Sequence, residues 1–290
     1  MLATDAELDV GPRRAPAFGR QLDELTDAFD VESKGVQDWL YFLLRGGGEL
    51  PRFPVELGMT KGVKVPLVPV YQELIPADLD DAYAATVKDL GGTYAAGLYA
   101  ACAMAAHEQA AATSYRCLNP VHSRWSPEWA LAMGWFINLV PLHVDIEPDD
   151  TFASLVQRTR QEFSDTKEAG DVPTLRVAEI LADHMDFDAD SSDRPPIMSY
   201  LDGAMIPGHE RWAEHNFWGL TGAGDDDDVY VWLMRMPGRT YVTCSCPGTP
   251  QAVHAVSSYF GRVAEILQEV ARTGADVPMG PAGILEPPAA

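Results

Sequence analysis

A chain of 290 residues, 47% of them hydrophobic, is long enough for one large or two medium domains with a sizeable core. Its 43 acidic residues against 21 basic ones leave a net charge of −22, which argues against nucleic-acid binding, where phosphates need clustered Lys and Arg, and against docking on an anionic membrane surface. The N-terminus lacks the apolar core of a signal peptide, and the longest apolar run, Tyr94 to Ala106, is too short to span a bilayer, so the expectation is a cytoplasmic protein with no integral membrane segment.

In chain order, residues 1–20 show no periodicity and are expected to be a disordered arm. Residues 21–62 read as helices and a connector. Val36, Leu40, Leu43 and Leu44 have helical spacing, with Trp39 beside them, and Gly46-Gly47-Gly48 stops that helix. Pro51, Pro54, Gly58 and Gly62 mark an extended connector.

Residues 63–273 then alternate strands and helices. Val63 to Ile75 is a strand that Pro66 and Pro69 place on an edge or make irregular. Ala77 to Asp89 is a helix with an acidic first turn. Thr93 to Gln109 is a helix of small residues, in which Gly97, Ala100, Ala101 and Ala105 let other backbones come close. Thr113 to Val121 is a strand ended by Asn119-Pro120, and Ser126-Pro127-Glu128 starts a short helix. Ile137 to Ile146 is an apolar strand expected to be buried on both faces. Asp149-Asp150-Thr151 caps a helix with the apolar face Phe152, Leu155, Val156, Thr159 and Phe163. Pro173 starts another helix, Asp186 to Asp193 is a solvated loop, and Pro196 to Asp202 is a strand.

Residues 203–228 form a long loop carrying His209, Trp212, His215, Phe217 and Trp218. Asp225 to Asp228 lacks the glycine and closing Glu of an EF-hand, so it reads as a solvated turn. Val229 to Met236 and Arg239 to Cys246 flank Pro237-Gly238 as a hairpin, with Cys244 and Cys246 on one face as buried thiols. Gln251 to Thr273 is the last helix, and 274–290 is a Pro/Gly/Ala tail. The fold class is therefore α/β, with helices 92–109, 151–168 and 251–273 packed on one mixed layer of five strands.

Gly134–Leu142 (GWFINLVPL) follows a strand that ends near Arg124, and the long small-residue helix precedes that strand. In order and spacing these segments, with 39–58, resemble the C-terminal lobe of condensation-domain and polyketide-associated acyltransferases, on the chloramphenicol-acetyltransferase-like fold. The resemblance implies transfer of an acyl group from a CoA or carrier-protein thioester to a hydroxyl or amine. It implies no bound cofactor beyond that thioester donor. It also implies that Arg124 pairs across two lobes with the Asp of an HHxxxDG motif, where a His is the base. Arg124 and Asn138 are the expected cross-lobe support, and Trp125 and Trp135 the expected channel lining.

Other roles stay open for these: Arg124 could pair locally with Asp145 or Glu128, Asn138 could tie two strands, and Trp125 and Trp135 could simply be core. HHxxxDG itself is absent, because no two of the seven histidines are adjacent. The run Asp183-His184-Met185-Asp186-Phe187-Asp188 is its weak echo, with His and Asp at the right interval but in the wrong place along the chain. The Asn216-Phe217-Trp218-Gly219 segment departs from the family's D-F-G-W-G. No hydrolase triad, nucleotide fingerprint or metal-ligand spacing is present. Three readings follow: a truncated or split acyltransferase that needs its first lobe, a non-catalytic relative that binds or assembles, and a divergent enzyme using His184 or a loop histidine. The expected partners are a complementary N-terminal lobe, or self-association, and an acyl carrier protein.

Overall fold

The computed structural model describes residues 26–124, 134, 136–182, 196–206, 208–212, 214 and 222–283. Helix α1 spans Lys34–Arg45, strand β1 Val65–Pro76, helix α2 Ala77–Asp89 and helix α3 Tyr94–Ala110. Strands β2 (Ser114–His122) and β3 (Ile137–Asp145) form an antiparallel pair, followed by α4 (Phe152–Asp165) and α5 (Thr174–Ala182). Then come β4 (Met198–Asp202), the two-residue β5 (Asp225–Asp226), β6 (Tyr230–Met236), β7 (Arg239–Pro247) and the long α6 (Pro250–Thr273). No helix among the described residues is long and apolar enough to cross a membrane.

Local chemistry sets most of these boundaries. Thr93, Thr151 and Thr249 each accept an N–H of the first turn of the helix that follows, and Thr151 forms a reciprocal pair with Ser154. Gly274 ends α6 in the left-handed region, at φ 60°. The α6 stripe Val256, Phe260, Val263, Leu267 and Val270 is buried in the main core, with α3 and the inner faces of β1, β6 and β7. A second core lies under α1, where Val36, Trp39, Phe42 and Leu43 meet Leu118, Val140 and Val172.

Helix α3 is buried all round, which explains its small residues. Gly97 faces the fully buried Tyr83. A Cβ there would overlap the Tyr83 hydroxyl and lie 2.9 Å from a methyl of Val87. Gly97→Val should therefore lower stability by about 1–3 kcal/mol through overpacking. Thermal or denaturant unfolding reads this directly, and an unchanged midpoint would refute the packing argument.

The single layer of strands expected from sequence is in fact two sheets. One is five-stranded, in the order β4-β6-β7-β1-β5, with β4 and β6 parallel and the other neighbours antiparallel; the other is β2-β3. They meet at one parallel bridge, Leu118 opposite Ile197. The proline that was expected to end β2 does not end it: β2 stays paired with β3 through His122. What Pro120 limits is the other edge of the strand, as argued below. β1 tolerates Pro69 because β5 covers only Val65 and Pro66 on its outer side. Ile137 is 43% exposed, so burial of β3 on both faces begins only further along the strand.

Two loops are more ordered than their composition suggested. The Asp225–Asp228 turn is not solvated: Asp226, Asp227 and Asp228 are all buried. Arg52 lies 3.2 Å from Asp227 and 3.3 Å from Asp228, while Gly62 N–H donates to Asp227 and Phe53 N–H to Asp228. The turn thus fastens the connector to the sheet. The long loop contains 3-10 turns at Gly203–Met205 and His209–Arg211, and Trp212 packs on Met234, Met236 and Tyr241. The tail is pinned as far as Gly280, whose N–H donates to Glu108, a carboxylate also held by Arg262. The arm 1–20, the helix start at Ser126, the 186–193 loop and the run at His184 lie outside the described residues.

Candidate functional site

Alternation along the strands turns Ser199, Trp232, Thr243 and Tyr71 to the face away from α3 and α6. Trp212 and its neighbours cover one end of that face. At the other end lies a cleft of about 1110 Å3, whose walls include Leu67, Ile137, Leu139, Ile197, Tyr230 and Trp232. Ser199, Ser245 and Thr174 are uncharged polar points in this mostly apolar surface, and Lys64, Asp225 and Asp226 add charge to its lining. On the helix side of the sheet a second cavity, of about 670 Å3, is lined by Tyr99, Asn119, Arg124, Phe136, Phe163 and Tyr200, among others.

Arg124 follows β2 and looks into this second cavity. Its guanidinium stacks over the Phe136 ring at 4.6 Å from the centroid, and the backbone N–H of Arg124 donates to His122 Nδ1 at 3.4 Å. The local partner proposed from sequence, Asp145, is occupied elsewhere: it pairs with Arg45 and with His143. Glu128, Trp125 and Trp135 lie outside the described residues. His122 was passed over in the sequence reading, yet of the described histidines it is the one that lines this cavity. Its position beside Arg124 at a strand end was the available signal.

Asn138 is buried and spends its amide inside the chain. Its NH2 donates to Gly170 O at 2.9 Å and Val172 O at 2.6 Å, and its oxygen accepts from Thr174 N–H at 2.9 Å and from the Thr174 hydroxyl. It therefore ties β3 to the start of α5, not to another strand. The Thr174 hydroxyl in turn accepts Leu139 N–H at 3.2 Å.

The described residues show little that could act as a nucleophile. All four cysteines are buried, and burial pushes the Cys102 thiol up to about 12 and the Cys246 thiol to about 11. Among the described residues no group of three or more His, Cys, Asp or Glu could hold a metal ion.

His143 is equally unsuited to catalysis. Burial, then the Arg45 charge, push its pKa down to about 4 against the pull of Asp145, and Arg116 adds to the depression. The folded state therefore prefers neutral His143, so its contribution is fully present above the unfolded pKa near 6.5 and is lost as pH falls toward 4. That loss should be on the order of 2–3 kcal/mol. Glu162 and Asp228, both raised by burial, oppose it in part. The measurement is thus the difference between wild type and His143→Gln: the variant should lack this slope, and parallel pH profiles would refute the assignment.

Comparison with known proteins agrees with this geometry. Residues 72–195 match the condensation-domain family. Acyltransferase PapA3 of Mycobacterium tuberculosis, in two strains, is 25% identical over 264 residues, covering 89% of this chain and 54% of that protein. The PapA2 acyl transferase structure superposes with a TM-score of 0.71 at 23% identity, over 88% of this chain and 55% of that one. The first condensation domain of the calcium-dependent antibiotic synthetase, solved with a substrate analogue, gives 0.60 at 16% identity, over 93% and 57% of the two chains. The chain has the condensation-domain fold, and it spans about half the length of the curated relatives it matches.

Proposed function

We propose that this chain is the C-terminal lobe of a condensation-type acyltransferase, whose site is complete only with a lobe bearing HHxxxDG. The observation that carries the reading is the combination of an acyltransferase-like chain of about half length with no adjacent histidine pair. The relatives' printed activity is acyl transfer, and the cleft's apolar walls suit an acyl chain.

In this reading the donor is a CoA or carrier-protein thioester and the acceptor is a hydroxyl or amine, in lipid or secondary-metabolite synthesis. The nucleophile attacks the thioester carbonyl as a neutral His on the first lobe takes its proton, and the thiol leaves. This chain's part is to bind and align the acyl chain, exclude water from the cleft, and hold the catalytic loop. Arg124 does the last by giving its guanidinium to the motif Asp across the lobe interface. Asn138 supports the same wall indirectly, through the start of α5. Trp125 and Trp135 enter the channel lining on the family resemblance alone.

The test is turnover of an acyl-CoA with an alcohol or amine, by the chain alone and after addition of an HHxxxDG-bearing lobe. Turnover by the chain alone that disappears on His122→Ala or His184→Ala would replace this reading with a divergent enzyme. A stable complex that never turns over would favour a binding or assembly protein.

A further inference from the structure

The bridge between Leu118 and Ile197 is where β2 and β4 stop pairing. Two residues further, the same register would set Pro120 opposite Ser199. Proline has no N–H to give to a ladder. Its nitrogen nevertheless faces this edge. Pro120 pairs with Leu139 on β3, and Leu139 N–H points away from β2, to the Thr174 hydroxyl. In an antiparallel pair both members of such a rung turn their amide positions outward. The nitrogen of Pro120 is therefore on the β4 side, and β4 has a carbonyl with no strand donor to meet it.

Tyr99 takes that place. Its hydroxyl oxygen lies 2.8 Å from Met198 O on β4 and 2.8 Å from Asn119 Oδ1 on β2. The single hydroxyl hydrogen serves one of these oxygens at a time; exchanging the O and NH2 ends of the Asn119 amide would let the amide donate to the hydroxyl while the hydroxyl donates to the carbonyl. The Tyr99 ring is fully buried on α3, against the edge of Phe163, so the hydroxyl is a fixed post between the two strands. Beside it the strands part, and the helix-side cavity and the open-face cleft share Pro120, Ile137 and Ser199 as walls.

We propose that Pro120 and Tyr99 hold an aperture through the sheet that joins the two cavities, and that Tyr99 is a positioning residue for an extended chain threaded through it. None of the three shared walls is charged, and Phe136 and Leu201 on one side and Leu139 and Trp232 on the other are apolar. The matching occupant is an unbranched acyl chain on its thioester arm. That choice of ligand rests on the acyltransferase reading; the aperture does not.

The experiment uses the whole chain in three forms: wild type, Tyr99→Phe and Pro120→Ala. The probes are a dodecyl pantetheine thioether, which cannot transfer its chain, and an analogue with a tert-butyl branch beside the sulfur. Hydrogen exchange follows the backbone of 118–122 and 198–202. Pro120→Ala restores the missing donor, so the new amide at position 120 should be protected from exchange and the linear probe should bind about tenfold more weakly, the equivalent of one hydrogen bond. Tyr99→Phe removes the post, so exchange in these two segments alone should quicken by about tenfold and the preference for the linear probe over the branched one should vanish. A merely structural tyrosine would weaken both probes alike.

Seam exchange that stays at the wild-type rate in both variants overturns the proposal, as does equal weakening of both probes in Tyr99→Phe. If Tyr99→Phe does not fold, an unprotected amide at position 120 in Pro120→Ala, with wild-type probe binding, overturns it. A wild type that binds neither probe, while both variants shift seam exchange as expected, refutes the acyl-chain reading and supports the aperture.

Discussion

Mixed with a lobe that carries HHxxxDG, this chain should turn over an acyl thioester about 10²- to 10⁴-fold faster than it does alone. That range is what a positioned general acid–base group contributes. Among the described residues the thiols are buried with raised pKa values and burial pushes His143 down to about 4, too weak a base, which leaves His122 as the histidine of the helix-side cavity that the His122→Ala control tests. Binding and alignment by the cleft would leave some residual rate, which sets the floor of the comparison. Arg124→Ala should weaken the complex of the two lobes by roughly 2–5 kcal/mol, because the partner Asp would be left buried without its cation. Equal rates with and without the added lobe would refute the two-lobe reading, and sedimentation of the mixture would show whether the lobes had met at all.

The open face gives that experiment a surface. Leu67, Ile137, Leu139 and Tyr230 line the cleft, while Trp212 closes only the far end of the sheet. Of the long loop's described residues, Trp212 packs on the Met234–Met236–Tyr241 end and Gly222 to Asp226 form part of the cleft wall.

The parts of this fold legible in the sequence are those whose causes are local. Ala77–Asp89, the 229–246 hairpin and the last helix announce themselves through caps, turn residues and hydrophobic period, all within a few positions. The parts that were not legible depend on partners far along the chain. Asp225 to Asp228 has the composition of a solvated turn, and Arg52, 175 positions earlier, with the N–H groups of Phe53 and Gly62, makes its burial tolerable. Asn119-Pro120 carries an ordinary strand-ending signal. Its real effect is felt on one edge of a strand that continues, and seeing this needs the register of both neighbours. Arg124 and Asn138 could be singled out as an aromatic-flanked cation and as an amide in an apolar strand. Their contacts, with Phe136 and with the start of α5, could not be found from spacing.

Asn138→Leu should destabilise the chain by about 3–6 kcal/mol, a large share of the ~5–15 kcal/mol that holds a typical domain together. Leucine matches the volume and removes every bond of the amide. Gly170 O, Val172 O and Thr174 N–H would each be left in or near a buried position, and each stranded group costs about 1–3 kcal/mol. The loss should be local as well as global. Thr174 N–H belongs to the first turn of α5, and Val172 is part of the core under α1, so both helices should gain hydrogen-exchange rate before the main sheet does. Asn138→Asp separates the two halves of the argument. It keeps the acceptor for Thr174 but sets a carboxylate against two carbonyl oxygens, so it should be as damaging as leucine at neutral pH and recover in part in acid, once the carboxyl carries a proton to donate. A leucine variant within about 1 kcal/mol of wild type would mean that the amide does not hold these segments together, and would remove Asn138 from the site altogether.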